Sequence, residues 1–313
     1  MGTNIGVVGG GIIGLSTAHL LADQGHNVTI YTKDQPEHTT SMKAAAIWFP
    51  FKAAPLDKVL EWSAQSLEHY QIIAESPGCG VKWVELWVMD TPEQARSWIE
   101  AVPKAAYQII TREDLPPGYA HGYLVQVPMI DTSLFLPFLY NQFQNKGKII
   151  FRKIAHLEDL IPTHEVVINC TGLEANQLTP DEKLFPIRGQ IVKLFAQPGI
   201  RYMADDHGPN ALSYIIPRSD GIVLGGTAQL HSDDLEVDHR ESEQILIRCS
   251  ALEPNLILNV KESIVGLRPG RETVRLEKEP DLNIIHNYGH GGSGYTVCWG
   301  CAMEVARLVA EVV

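Results

Sequence analysis

Three glycines, Gly9, Gly11 and Gly14, follow the apolar run Ile5-Gly6-Val7-Val8 at the spacing G-x-G-x-x-G, with Ile12 and Ile13 between the last two. That spacing suits a pyrophosphate. The first glycine permits a tight strand-to-helix turn, the second lets the backbone approach the phosphates with no Cβ between, and the third lets the helix lie close on the sheet. The helix that begins here offers free N–H groups and a favourable dipole to the anion. NAD, NADP and FAD all use such a turn, and an acidic residue at the end of the second strand usually holds the ribose. Asp34, in Tyr31-Thr32-Lys33-Asp34, is the nearest candidate, and an ordinary solvated pair with Lys33 is the competing reading.

Three later segments also carry chemistry. Val166-Val167-Ile168-Asn169-Cys170 reads as a buried strand, and its Thr171-Gly172 end can bring a second backbone segment to a nucleotide. The stretch from Gly266 to Glu277 holds Arg268, Arg271 and Arg275 among glycine, proline and apolar residues. A guanidinium binds a carboxylate bidentately and stays charged when desolvated, so one of these arginines can clamp an acidic substrate group. Glu272, Glu277 and Glu279 offer Arg268 and Arg275 ordinary ion-pair partners instead. His286 to Thr296 forms a second glycine-rich strand-to-helix turn, with Gly289, Gly291, Gly292 and Gly294 allowing close approach of a flat ligand. His286 and His290 are four apart, but the glycines argue against a helix there, so no metal site is expected.

Placing these segments calls for alternating strands and helices. Helical spacing spans 55–76, 131–144, 240–252 and 294–311, with buried-type strands at 149–151 and 166–169. Strand-like alternation marks 82–89, and from Phe185 onward the pattern is β-rich, at 190–195, 213–217, 221–225, 261–267 and 282–285. No linker divides the chain, so the reading is an α/β (mixed α+β) fold of two domains threaded through each other.

With 313 residues, 45% hydrophobic content and a mean hydropathy of −0.05, the composition is that of an ordinary globular protein. No apolar run reaches the roughly 18 residues of a membrane span. The region after Met1 enters the first strand directly, so no signal peptide is expected, and the C-terminal residues are not a Ser-Lys-Leu address. A net charge of −12 argues against nucleic acid. Five cysteines, an odd number in mostly apolar surroundings, suit a reducing cytoplasm. Cys298-Trp299-Gly300-Cys301 reads as small buried residues of the last helix rather than a redox dithiol.

The chain resembles the D-amino-acid oxidase family of FAD-dependent amine oxidases, which includes D-aspartate and glycine oxidases. The resemblance covers residues 4–310. It rests on VVGGGIIGLSTA, TTSMKAAAIWFP, VINCTG, PIRGQIVKL, SYIIPR with GIVLGGT, VGLRPGRETVRLE and HNYGHGGSGYTVCWGCA. It implies a Rossmann-like FAD-binding domain over 1–48, 145–185 and 255–313, interleaved with a β-rich substrate-binding domain over 49–144 and 186–254. By this resemblance Gly9, Gly11, Ile12, Ile13 and Gly14 cradle the FAD pyrophosphate, and Asp34 meets the ribose. Thr39, Thr40, Ser41, Ala45 and Trp48 run along the FAD, Thr171 and Gly172 flank it, and Arg268 joins the cofactor contacts. Gly291, Gly292, Ser293, Gly294, Tyr295 and Thr296 lie under the flavin, where Thr296 stabilises negative charge. Arg271 and Tyr214 bind the substrate carboxylate, and the Gly292 carbonyl accepts from the substrate amine.

The implied reaction is hydride transfer from Cα of a D-amino acid to flavin N5, with dioxygen as the final acceptor. Ala228 stands where fungal-type oxidases carry tyrosine and D-aspartate oxidases tend to carry arginine, which favours neutral or bulky substrates. The segment 204–210 looks short for a long active-site lid, and its two aspartates, Asp205 and Asp206, disfavour acidic substrates. The implied partners are a small D-amino acid and dioxygen, with neither nucleic acid nor membrane and with room for a homodimer. A glycine/sarcosine-type oxidase, a NAD(P)-dependent dehydrogenase and a non-catalytic nucleotide-binding protein are the alternatives.

Overall fold

A computed structural model describes residues 2–51, 53–111 and 113–312. Along the chain come β1 (Asn4–Val8), α1 (Ile12–Asp23), β2 (Asn27–Thr32), α2 (Leu56–Ala74), β3 (Val81–Val88), α3 (Pro92–Ala95), β4 (Tyr107–Ile110), β5 (Gly122–Ile130) and α4 (Thr132–Gln144). The middle holds β6 (Lys148–Phe151), β7 (Val166–Asn169), α5 (Ala175–Leu178), β8 (Leu184–Leu194), β9 (Tyr202–Asp205), β10 (Ser213–Arg218), β11 (Gly221–Gly225) and β12 (Gln229–Leu230). The last part is α6 (His239–Leu252), β13 (Val260–Arg271), β14 (Arg275–Lys278), β15 (Ile284–Tyr288) and α7 (Gly294–Ala310).

Among the described residues the strands form two sheets. The first runs β14-β15-β7-β1-β2-β6, parallel from β15 to β6, with β14 antiparallel at its edge. β7 is wholly buried and β1 nearly so, as a parallel sheet covered on both faces demands. Helices α1 and α7 pack on each other, α4 lies on α1, and α2 lies on α7. Gly300 marks the α2–α7 crossing, because a Cβ there would come within 2.3 Å of the Trp62 backbone. The Cys298–Cys301 segment is thus small because two helices meet at it.

The second sheet runs β12-β8-β11-β10-β9-β3-β5-β4, with β13 paired along the other side of β8. All its pairings are antiparallel except β3 with β9. Helix α6 covers β8, β10 and β11, burying Ile245, Cys249 and Leu252. One apolar cluster joins the two sheets, from Ile5 and Val7 to Leu86, Trp98 and Phe135. Strand β13 thus belongs to the second sheet, while α2 and α4 pack against the helices of the first.

Candidate active site and cofactor cavity

A cavity of about 600 Å³ opens at the carboxyl ends of β1 and β7, where open α/β sheets bind their ligands. Gly9 to Ile13, after β1, and Cys170 to Glu174, after β7, form part of its wall. Residues of the second glycine turn and of β13 line it as well, so both turns face one space.

The glycines of the first turn do different work. Gly9 has φ +118°, and a Cβ there would lie 2.4 Å from the Cys170 carbonyl oxygen. A Cβ on Gly14 would lie 1.9 Å from the Gly9 carbonyl oxygen, so Gly14 serves the packing of α1 and does not line the cavity. At Gly11 the nearest obstacle is the Ser41 hydroxyl, at 3.0 Å. Gly266 and Gly294 also line the cavity, yet an added Cβ would meet nothing closer than 3.5 Å and 3.7 Å respectively. Neither has a left-handed φ. The protein's own packing does not require glycine at these two positions, whereas a flat ligand pressed on the backbone does. The cavity therefore fits an extended dinucleotide.

Asp34 lines the cavity just beyond β2. Lys33 bridges it to the wall after β7, with its ammonium 3.4 Å from Asp34 and paired with Glu174. Its hydrogen bond to Glu174 is the main cause of a raised Lys33 pKa. Glu174, which the sequence spacing did not single out, thus shares this end of the cavity wall with Asp34.

Thr39, Thr40, Ser41 and Ala45 line the cavity, and the Ser41 hydroxyl accepts from the Ile12 N–H at 3.0 Å. Trp48, expected along the cofactor, is instead fully buried in the core, its Nε1 donating to the Ser63 carbonyl at 3.0 Å. Ser293, expected under the flavin, also lies off the wall. Its hydroxyl accepts from the Phe51 N–H and donates to the Phe51 carbonyl. Thr296 lines the cavity, but its hydroxyl serves Phe49 in the same way, at 3.1 Å and 3.0 Å. In this arrangement the Thr296 hydroxyl ties the segment around Phe49 to the first turn of α7.

At the other end, Tyr214 and Arg268 share the wall with Gly292. The Tyr214 ring crosses Gly225, where a Cβ would come within 1.8 Å of it. The Arg268 guanidinium crosses Gly189 and donates to the Thr227 carbonyl at 3.0 Å. Burial raises the Tyr214 pKa against the opposing pull of the Arg268 charge, so the phenol keeps its proton and can donate it. Phe51 packs on Gly292, its ring 2.5 Å from where a Cβ would be. The aromatic and proline run Trp48-Phe49-Pro50-Phe51 is the sequence signal for this wall, though only Trp48 was expected at the site.

Arg271 does not line the cavity. Its Nε donates to Asp181 at 2.8 Å, and a terminal nitrogen donates to the Thr273 carbonyl at 2.7 Å. The reason is the length of β13, which runs through Arg271 and pairs Arg268 with Ile187 and Arg271 with Leu184. Residues three apart on a strand point to opposite faces. Arg268 therefore faces the cavity, and Arg271 faces the loop before β8. Ala228 is also absent from the cavity wall, which its neighbour Thr227 reaches.

His290 lines the cavity wall but is almost wholly buried, 3.0 Å from Asn287 Oδ1. Burial lowers its pKa from 6.5 to about 3 and lowers that of His69 to about 4. The unfolded chain takes up these protons near pH 6.5 and the native protein does not, so stability falls as pH drops through that value. We expect the melting temperature to fall between about pH 6.5 and 5, a window above most carboxylate pKa values. His290→Gln should flatten that slope, and a wild-type melting temperature that is flat over the window would contradict the assignment. His286 lies within 2.8 Å of Glu279, and no metal-ligand group of three is found among the described residues. All five cysteines are buried and free, and burial raises Cys298 to about 12.

The fold and the cavity define a dinucleotide-dependent enzyme. Residues 4–308 match the family model described as FAD dependent oxidoreductase, and the chain belongs to that family. Its cofactor is FAD, which removes the NAD(P)-dependent alternative. A D-amino-acid oxidase of Rubrobacter xylanophilus is 42% identical over 96% of this chain and 94% of its own. The D-aspartate oxidase of Homo sapiens is 35% identical over 99% and 95%. Among solved structures, glycine oxidase from Geobacillus kaustophilus superposes with a TM-score of 0.81 at 20% identity, covering 99% of this chain and 95% of that one, which is a likeness of fold. No helix among the described residues is long and apolar enough to cross a membrane.

Proposed function

We propose that this enzyme oxidatively deaminates D-amino acids with neutral or bulky side chains. Substrate, dioxygen and water give a 2-oxo acid, ammonia and hydrogen peroxide. The observation that carries this reading is Arg268 beside Tyr214 on the wall of a cavity that also holds both glycine turns. The D-amino-acid oxidase names of relatives at 42% and 37% identity support it.

When bound, FAD would supply the acceptor for the substrate Cα hydride and the route for its electrons to dioxygen. Gly9, Gly11, Ile12 and Ile13 would hold its pyrophosphate. Asp34 with Lys33 and Glu174 would hold its ribose, and Gly291 to Thr296 its flavin end. Arg268 takes the substrate carboxylate in a charge-assisted pair, and the protonated Tyr214 donates to the same group. The Gly292 carbonyl accepts from the amine, so that two fixed ends aim the Cα–H. Orientation of this kind is the protein's main contribution to such a reaction. Ile191, Ala204, Leu212 and Ile264 line the cavity with apolar surface, and Asp205 and Asp206 repel an acidic side chain. In this reading the first sheet carries the cofactor, the second sheet carries the substrate residues, and the enzyme works in the cytoplasm, where buried free thiols persist.

Peroxide formation across D- and L-amino acids, glycine and sarcosine tests the proposal. Turnover of D-alanine and of bulky D-amino acids, with little on D-aspartate or the L-enantiomers, is expected. A preference for glycine or sarcosine would replace the reading with that of a small-amine oxidase.

A further inference from the structure

Arg271, displaced from the substrate, belongs to a polar network that touches three walls of the cofactor cavity. At its centre is Asp181, buried between α5 and β8. One carboxylate oxygen accepts from Arg271 Nε at 2.8 Å and from the Tyr288 hydroxyl at 2.9 Å, and the other accepts from the Lys183 N–H at 3.1 Å. Tyr288 in turn accepts from Arg275 at 2.9 Å, and Arg275 pairs with Glu277 at 2.7 Å. Two carboxylates face two guanidinium groups, so the cluster is neutral without a ligand. Burial raises the Asp181 pKa, but the bonds from Arg271, Tyr288 and Lys183 outweigh it and hold the carboxyl below its usual range.

Each arm ends on the cavity wall. The Asp181 N–H donates to Asn176, and the neighbours Gln177 and Leu178 line the cavity. Tyr288 lines it directly, at the point where β15 enters the glycine turn. The aliphatic stem of Arg271 lies on Gly289, whose φ is +86° and whose added Cβ would come within 2.9 Å of it. Beyond that residue, the Gly291 N–H donates to the Pro269 carbonyl at 2.8 Å, which joins the turn to β13. We propose that Asp181, Arg271 and Tyr288 form a clamp that sets the second glycine turn against β13 and the segment after β7, so that Arg271 is a positioning residue for FAD affinity and does not touch substrate.

The test uses the full-length enzyme, stripped of FAD and titrated with it by flavin fluorescence. In Arg271→Ala and Asp181→Asn the FAD dissociation constant should rise about tenfold or more, the scale of a lost charge-assisted hydrogen bond. The double variant should bind FAD no worse than about twofold below the weaker single variant, because both changes open the same clamp. With FAD saturating, the KM for D-alanine should stay within about threefold of wild type. Tyr288→Phe removes one hydroxyl and is the variant to use if the others fail to fold, with a rise of about threefold or more expected. Unchanged FAD affinity in these variants overturns the proposal. So does a KM raised more than about thirtyfold in Arg271→Ala at intact FAD affinity, a result that would return Arg271 to the substrate. Should D-alanine prove not to be a substrate, the FAD titration still decides the clamp.

Discussion

Arg268→Ala should raise the KM for D-alanine by about 10²- to 10³-fold while the purified enzyme keeps its FAD. The estimate follows from the environment of the guanidinium. Arg268 is half-buried, crosses Gly189 at a distance no side chain there would allow, and is tethered to the Thr227 carbonyl. A guanidinium held in this way has one face of its fork fixed by the protein and the rest ready for a planar anion. Truncating one partner of such a pair costs about 2–5 kcal/mol, and each ~1.4 kcal/mol is a factor of ten. Arg268→Lys keeps the charge and loses the fork, so it should fall between wild type and alanine. Tyr214→Phe, which removes one hydrogen bond and no charge, should cost roughly tenfold or less. Steady-state peroxide formation gives KM, and the flavin absorbance gives FAD content. A KM within about threefold of wild type in Arg268→Ala would remove this residue from the carboxylate.

The two arginines show where the sequence stops being legible. The motif Gly266-Leu267-Arg268-Pro269-Gly270-Arg271 looks like a loop, because glycine and proline interrupt it. It is the end of a strand, since β8 supplies a continuous partner from Leu184 to Leu194. Once β13 is extended to Arg271, the alternation of faces separates the two side chains, but nothing local reveals the pairing. β5 was missed for a related reason. Its Pro128 reads as a strand breaker, yet it lies beyond the Gly122 to Val125 stretch that β4 pairs, and its carbonyl still accepts from the Trp48 N–H at 3.0 Å. By contrast, the first turn, the buried strands β1 and β7 and the helix α7 were legible, because short-range spacing and unbroken apolar runs specify them. Trp48 and Ser293 illustrate a third case. Both lie within segments that reach the cavity, but a run of residues along a wall turns only some of its side chains toward it. The rest go to the core, as Trp48 does, or hold a neighbouring strand of chain, as Ser293 holds Phe51.

The first glycine turn can be separated into its two tasks by substitution. Gly14→Ala should abolish accumulation of folded protein, whereas Gly11→Ala should fold and lose most of its affinity for FAD. At Gly14 the added Cβ would lie 1.9 Å from the Gly9 carbonyl oxygen. That atom is backbone, and Gly9 has little room to yield, because its own N–H is tied to the Tyr31 carbonyl at 2.8 Å and the Cys170 carbonyl lies so near that a Cβ on Gly9 would come within 2.4 Å of it. Relief would require α1 to move off the sheet, and Ile12, Leu15, Ala18 and Leu21 are buried along it. Overpacking of a core costs about 1–3 kcal/mol where side chains can adjust, and more where only backbone can move. Against a total stability of about 5–15 kcal/mol, displacing α1 is not affordable. At Gly11 the obstacle is the Ser41 hydroxyl at 3.0 Å, which can rotate away. The fold therefore tolerates that methyl group, but a pyrophosphate held at this turn, as proposed, would not. Thermal unfolding of the apoprotein with and without FAD reads both effects. Wild type should gain melting temperature from FAD, and Gly11→Ala should match the apo wild type and gain little. A Gly14→Ala protein that folds and binds FAD normally would mean that α1 has more freedom than its packing implies.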